Sequence, residues 1–285
     1  MDFNSYWYLG LAILSLLLLV YICLKKRSVR SLLLFFTIVG IGYVIEAVIY
    51  ILMGSYQYYP KFIAHEPYYD SNMGAIVSNA LALPSVATFI AAFRLRWMWL
   101  IFFTCLIVGI EWLFLNLNIY SHNWWRLGYT AFGLPVFFAL ARKMYPLVLQ
   151  PLKGFFHFLI LLLIIGAITG TMNILPIMFF YNRYYRPGWY AGQAHDTTAF
   201  STVYYMCASL LLVVIVKLHW KYKWMKYALI AAVVTIVTII LQAEGILYSL
   251  VWWDPIYYVL LPLVVLFIAE AVSRRLSMGL ESRKN

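Results

Sequence analysis

The chain has 285 residues, of which 65% are hydrophobic and 11% are charged, and its mean hydropathy is +0.85. This composition excludes a water-soluble globule, because so few polar residues cannot cover its surface. The net charge of +11 would suit nucleic-acid binding, but the basic residues cluster at the ends of apolar runs, so we expect lipid bilayer and no nucleic acid as partner.

Nine apolar runs have the length that a transmembrane helix requires, which is about 20 residues. In chain order they cover 6–24, 31–54, 74–93, 97–117, 125–141, 154–180, 199–216, 227–250 and 255–273. Backbone groups in hydrocarbon need internal hydrogen-bond partners, and runs of this length satisfy them as helices rather than as strands. The sequence therefore predicts one all-α domain over residues 1–285, a polytopic helical bundle in the cell membrane.

The basic residues predict the orientation of this bundle. If the N-terminus is outside, only four of the 21 lysines and arginines fall on the outer side, namely Lys61, Arg126, Arg183 and Arg186. The other 17 fall on the inner side, as expected of cytoplasmic loops. The first run is preceded by Asp2 and followed by the basic residues 25–27, which favours a retained anchor over a cleaved signal peptide. We expect the N-terminus outside and the C-terminus in the cytoplasm.

Three glutamates, Glu46, Glu111 and Glu244, lie at similar depth near the outer ends of predicted spans. A carboxylate that faces lipid is costly, so each is expected to face a partner or a polar cavity. Tyr50 and Tyr248 follow Glu46 and Glu244 by four residues, which places each phenol one helical turn above the acid as a hydrogen-bond donor. If the three helices are neighbours, the glutamates form one polar layer below the outer surface.

Other polar residues extend this hypothesis or offer an alternative to it. Glu111 has no such tyrosine, and Arg126 at the start of the next span would make it a structural ion pair. Asn79, Asn173 and Gln242 also lie within the spans. We include these amides in the predicted polar layer, although interhelical hydrogen bonds alone would also explain them.

A second group of candidates lies in the predicted outer loops. His65, His122 and His195 are close in sequence to acidic residues, among them Asp70 and Asp196. These side chains are suited to acid–base chemistry, but the two aspartates also suit helix caps. No pair of histidines has the spacing of a helical metal site, so we expect no metal and no cofactor.

The sequence also contains the trace of an internal repeat. Three two-span units pair a glutamate in the first helix with Leu-Pro in the second: 31–93, 97–141 and 227–273. The unit 154–216 has Asn173 and Pro176 instead. This pattern is typical of repeat ancestry in transporters.

No nucleotide-binding, hydrolase or metalloprotease motif occurs, which excludes an ATP-driven pump acting by itself. The leading hypothesis is a permease for a small solute, or a ligand-binding membrane protein, with its glutamate layer open to the outside and linked to protons. One alternative is a membrane-embedded enzyme that acts on a lipid-linked substrate at the outer leaflet, with Glu46 or Asp70 and a loop histidine as acid and base. Another is a non-catalytic subunit that docks through its aromatic outer surface. We favour binding over catalysis and leave the ligand, solute or lipid headgroup, and the oligomeric state open.

Overall fold

The computed structural model describes residues 2–278 of the chain. Within this range nine helices are long and apolar enough to cross a membrane, which confirms the nine predicted runs. The elements are α1 (Phe3–Lys26), α2 (Val29–Glu46), π1 (Ala47–Leu52), α3 (Pro67–Ala75), π2 (Ile76–Ala82), α4 (Leu83–Ala92), α5 (Trp97–Asn116), α6 (Leu127–Leu149), α7 (Gly154–Phe180), α8 (Gln193–Lys217), α9 (Lys223–Ala243) and α10 (Asp254–Met278). The segment π1 continues α2, and π2 joins α3 to α4, so that each set forms one helix long enough to cross a membrane.

Several helix boundaries differ from those expected. The third span begins at Pro67 rather than at 74, and the seventh begins at Gln193 rather than at 199, because their first turns are polar and yet buried. The eighth span ends at Ala243 rather than at 250. Gly245, with a φ of 66°, adopts the left-handed conformation that commonly ends a helix. Apolar composition continues past this point, but the helix does not.

Four short strands form two antiparallel pairs between the helices. β1 (Tyr56–Tyr58) pairs with β2 (Tyr120–His122), and β3 (Arg183–Tyr185) pairs with β4 (Leu247–Ser249). β1, β2 and β3 lie in connections predicted to be outside, whereas β4 lies within the predicted span 227–250. Three aromatic or polar residues in a loop carry no alternating pattern, so the sequence did not predict them.

The chain divides into a first unit, residues 2–152, and a second unit, residues 153–278. In the first unit α4 packs on α1, α2 and α6, and α5 packs mainly on α6. In the second unit α7, α8 and α10 pack on one another, and α9 packs on α10. The prediction of a single domain stays a prediction.

The two units share one order of elements, although α1 has no counterpart in the second unit. In each unit a helix ends at a left-handed residue, Gly54 or Tyr181, and a strand begins two residues later. The second strand of each pair follows another left-handed residue, Asn118 or Gly245. The left-handed residues and the strands have the same sequence spacing in both units, and the strands pair in the same antiparallel way. These shared features favour a repeat of four helices over the two-span unit, which stays a prediction from the sequence.

An aspartate fixes the loop after the first strand of each unit. The carboxylate of Asp70 accepts hydrogen bonds from the backbone amides of residues 61–63 at 2.7–2.9 Å. That of Asp196 accepts from the amides of residues 188–190 at 2.8–3.1 Å. Each aspartate lies in the first turn of a helix rather than at its cap, and Glu66 caps α3 instead.

The residue after each aspartate holds the strand itself. The backbone amide of Tyr58 donates to Ser71 Oγ at 3.0 Å, and that of Tyr185 donates to Thr197 Oγ1 at 3.1 Å. The polar first turns of α3 and α8 are buried because they carry these contacts. In this way each unit presents its strand pair at one end of its helices, which we call the hairpin end.

Candidate functional site

The first unit contains a cavity of about 420 Å³. Aliphatic and aromatic side chains form most of its wall, and α1, α2, α4, α5 and α6 all contribute. Its main polar groups are Glu46, Tyr56, Tyr58, Asn79, Glu111 and Tyr120. A few convergent polar groups in an apolar wall are typical of ligand-binding sites.

Glu46 is the last residue of α2 and lines the cavity. The Tyr56 hydroxyl donates to its Oε1 at 2.5 Å, and the Asn79 amide lies beside the same carboxyl group. Oε2 is buried and makes no hydrogen bond of standard geometry within residues 2–278. Half of this carboxyl group is therefore without the partner that a buried polar atom requires.

The strand tyrosines supply hydrogen-bond donors at the hairpin end. Burial raises the pKa of the Tyr56 and Tyr58 hydroxyls well above their usual range, and it also raises the pKa of Tyr120. Asn79 Nδ2 donates to the Tyr58 hydroxyl at 3.2 Å. The rings of Tyr58 and Tyr120 lie 4.8 Å apart. These phenols remain protonated at ordinary pH and close the hairpin end of the cavity with their rings.

Glu111 pairs with a histidine, not with the arginine that the sequence suggested. Its Oε1 lies 2.8 Å from His122 Nε2. Arg126 is exposed and donates to the backbone oxygen of Trp125, so the predicted ion pair is wrong. In the strand pair Tyr56 lies opposite His122. One pair of facing residues therefore supplies the partners of both cavity glutamates.

Two π-helical segments adjoin this polar group. π1 begins at the residue after Glu46, and π2 contains Asn79. At Gly42 a Cβ atom would stand 3.1 Å from the backbone oxygen of Asn79, so α2 and π2 approach closely there. Single π-helical turns within α-helices are frequent at functional sites.

The predicted tyrosine partners of the glutamates are both wrong. Tyr50 is buried, and its hydroxyl lies 2.8 Å from Ser71 Oγ and 2.9 Å from Asn72 Oδ1. Tyr248 stacks on Tyr184 with 4.6 Å between ring centroids. The acid–phenol contact that does form joins Glu46 to Tyr56, a residue in a strand.

Of the predicted polar layer, the structure brings together only Glu46, Asn79 and Glu111. Glu244 and Gln242 belong to the second unit, where both are exposed at the end of α9. Asn173 is buried in α7, and its Oδ1 accepts from Ser201 Oγ at 2.8 Å. The cavity is lined by residues of the first unit.

The remaining loop histidines do not line the cavity. His65 is exposed, and the His195 ring stacks on Tyr190 at 3.7 Å between centroids. Among residues 2–278 no group of three or more histidine, cysteine or acidic side chains is arranged to hold a metal ion. Of the predicted loop residues, only His122 joins the candidate site.

The second unit has an ion pair at the strand position that Tyr56 occupies in the first. Arg183 contacts both oxygens of Asp254 at 2.8 Å, and the two side chains are each 1% exposed. Asn182 and Ser249 donate to the same carboxylate at 2.6 and 2.7 Å. The pair is not predictable from sequence spacing, although Arg183 is one of only four basic residues on the predicted outer side.

Comparisons with known proteins supply no family. The sequence matches no protein-family model, and neither curated proteins nor solved structures give a match. The nine apolar helices within the described range are compatible with a multi-pass membrane protein. The choice among more specific functions rests on the geometry of the cavity.

Proposed function

We propose that the first unit binds a small organic ligand in its cavity, and that Glu46 and Glu111 hold the polar group of that ligand. One observation carries the proposal: Glu46 and Glu111 both line a largely apolar cavity, and Tyr56 and His122 each contact one oxygen of these carboxyl groups. An acidic side chain in an apolar wall is costly, and a ligand that donates a hydrogen bond to it lowers this cost. The cavity volume of about 420 Å³ lies within the range of ligand sites.

The charges around the cavity favour a particular polar group. Among residues 2–278 no lysine or arginine lines the cavity, whereas two glutamates do. A ligand that carries an amine or another hydrogen-bond donor complements these carboxyl groups. If a proton leaves Glu46 when such a cation binds, ligand binding is linked to proton movement, as in a proton-coupled permease.

The contact between His122 and Glu111 favours a membrane-embedded enzyme as the second candidate. A carboxylate that orients a histidine next to a cavity is a common arrangement for acid–base catalysis. Asp70 is not a candidate acid, because its oxygens are occupied by three backbone amides. A permease predicts proton-linked flux into sealed vesicles, whereas an enzyme predicts turnover in detergent without a gradient.

The proposal is tested by the binding of primary amines to the protein in lipid nanodiscs. The probes are ethanolamine, butylamine and dodecylamine, which share one head group. Glu46→Gln should weaken the binding of at least one amine by about tenfold, which corresponds to roughly 1.4 kcal/mol. Its matched control is Glu244→Gln, which removes an exposed glutamate from the second unit and should leave binding unchanged.

Thermal unfolding of both variants shows whether they are folded. We expect Glu46→Gln to remain folded, because the amide keeps the shape of the side chain and still accepts the Tyr56 hydrogen bond. If no amine distinguishes folded Glu46→Gln from the parent protein, the proposed ligand site is wrong.

A further inference from the structure

The cavity is long in the direction of the helices. On α1 its lining residues run from Tyr8 to Leu18, and on α5 they run from Phe103 to Phe114. At 1.5 Å per residue these stretches span about 15 Å. The hydrocarbon core of a bilayer is about 30 Å thick, so the cavity has the length of one leaflet.

Polarity is concentrated at one end of this cavity. The glutamates and the strand tyrosines lie at the hairpin end, whereas Leu18, Val86 and Phe103 line the part deeper in the helices. Ser15 also lines the wall, but its hydroxyl donates to the backbone oxygen of Leu11 in the same helix. The lining therefore has the polarity of a head group joined to a hydrocarbon chain.

The hairpin end is closed by buried rings. Tyr56, Tyr58 and Tyr120 are each less than a tenth exposed. On the α1 and α5 side, the Phe114 ring contacts the rings of Trp7 and Tyr8 at 6.2 and 5.3 Å. A water-soluble ligand would have to displace these aromatic contacts to reach the glutamates from this end.

The sides of the cavity, in contrast, reach the exposed surface of the helices. Leu14 on α1 and Leu106 on α5 line the cavity and are 67% and 46% exposed. Ile45 on α2 and Tyr129 on α6 do the same at 43% and 51%. All four side chains are apolar or aromatic and belong to helices long enough to span a membrane. Hydrocarbon therefore has a more direct route to the cavity than water has.

From these observations we infer that the occupant is a single-chain amphiphile of the bilayer. Its amine or other donor-bearing head group contacts Glu46 and Glu111, and its hydrocarbon chain lies along α1 and α5. The inference rests on the proposed function and names the chemical class of the ligand. The sequence predicts that the ligand reaches the glutamates from the water outside. The inference is instead that the ligand enters the cavity from the bilayer, between the helices.

The amine series tests the chain. The comparison uses only the binding component that is lost in Glu46→Gln. For this component the dissociation constant of dodecylamine should be at least about tenfold lower than that of butylamine, because only the longer chain fills the apolar part of the cavity. Leu18→Trp, which blocks the deep end, should weaken dodecylamine but not butylamine. Its matched control is Leu17→Trp on the same helix, where the side chain is 60% exposed and does not line the cavity.

Failure of this inference differs from failure of the proposed function. Glu46-dependent binding of ethanolamine at least as tight as that of dodecylamine would overturn the amphiphile and leave the ligand site intact. If Leu18→Trp and Leu17→Trp weaken dodecylamine binding equally, the hydrocarbon chain does not occupy the deep end of the cavity. Loss of Glu46 dependence for every amine would overturn both.

Carbodiimides, which react with carboxylic acids, test the route. A hydrophobic reagent, dicyclohexylcarbodiimide, should modify Glu46 in nanodiscs, and dodecylamine should protect it. A cationic water-soluble carbodiimide should modify Glu46 far more slowly, as measured by mass spectrometry of peptides. Faster modification by the water-soluble reagent, or no modification of Glu46 by either reagent, would overturn access from the bilayer.

Discussion

The two units place different chemistry on one backbone arrangement. At the first residue of its first strand, the first unit has Tyr56 opposite His122, and the second unit has Arg183 opposite Ser249. The Asp254 carboxylate receives hydrogen bonds from three side chains, whereas Glu46 Oε2 receives none of standard geometry within residues 2–278. The fold itself supplies the partners of the Asp254 carboxylate, whereas the Glu46 carboxyl group lines a cavity with part of its hydrogen-bonding capacity unused.

The largest expected effect comes from breaking the saturated group. Asp254→Ala leaves the Arg183 charge buried without its partner, and such a loss costs about 3–5 kcal/mol. We expect a large fall in thermal stability in detergent, and a much smaller one for Glu46→Gln. Asp2→Asn is the control, because it breaks an ion pair with Lys61 that is exposed and should change stability little. If Asp254→Ala and Glu46→Gln unfold alike, the contrast between the units is wrong.

A smaller effect should be common to both units. Asp70→Ala and Asp196→Ala each leave three backbone amides without their acceptor, at a cost of about 2 kcal/mol because water reaches parts of these loops. Hydrogen exchange at amides 61–63 and 188–190 should accelerate in the variant of the same unit only. Asp→Asn at either position keeps one acceptor oxygen and should lose less. Strongly unequal losses would show that the two loops are not equivalent.

The smallest effect is expected in the pH dependence. Burial raises the pKa of Tyr56, Tyr58 and Tyr120 above the unfolded value of about 10. Folding therefore favours the protonated form of these tyrosines. Their contribution to stability should stay level below pH 10 and should be lost as the pH rises further. Arg183 opposes this shift for Tyr185 in the second unit. The tyrosinate absorbance contributed by Tyr56, Tyr58 and Tyr120 should thus appear together with unfolding of the first unit, and Tyr58→Phe should reduce the alkaline loss of stability. Ionisation of these tyrosines before unfolding would contradict the prediction.

Composition and hydropathy were sufficient to predict the nine helices, because each run is long and evenly apolar. Glu46 and Glu111 were identified for a physical reason as well, since acids within spans are costly and need a polar setting. Their partners were not predictable. The spacing from Glu46 to Tyr50 assumes α-helical geometry, but π1 begins directly after Glu46. The actual partners, Tyr56 and His122, come from strands that a single sequence cannot place together.

The second unit shows where hydropathy misled. Glu244 was assigned to a span because the apolar run continues to 250, but the helix ends at Ala243 and leaves Glu244 exposed. The residue that matches Glu46 is Asn173, since each lies ten residues before the first residue of its strand, Tyr56 or Arg183. Asn173 had been the exception to the predicted repeat. Exchange of an acid for an amide at one position hides the duplication when only glutamates are compared.

The π-helical segments have a consequence for insertions and deletions in this chain. Each residue of a helix turns the side chains that follow it by about 100°. Glu46, Tyr56 and Asn79 meet in a stretch that contains both π1 and π2, whereas the helices of the second unit, residues 153–278, have no such segment. Loss of one residue within π1 would change the phase of this helix and rotate Glu46 relative to the strand. The number of residues in π1, and not only the identity of the side chains, therefore sets the position of Glu46 in the cavity.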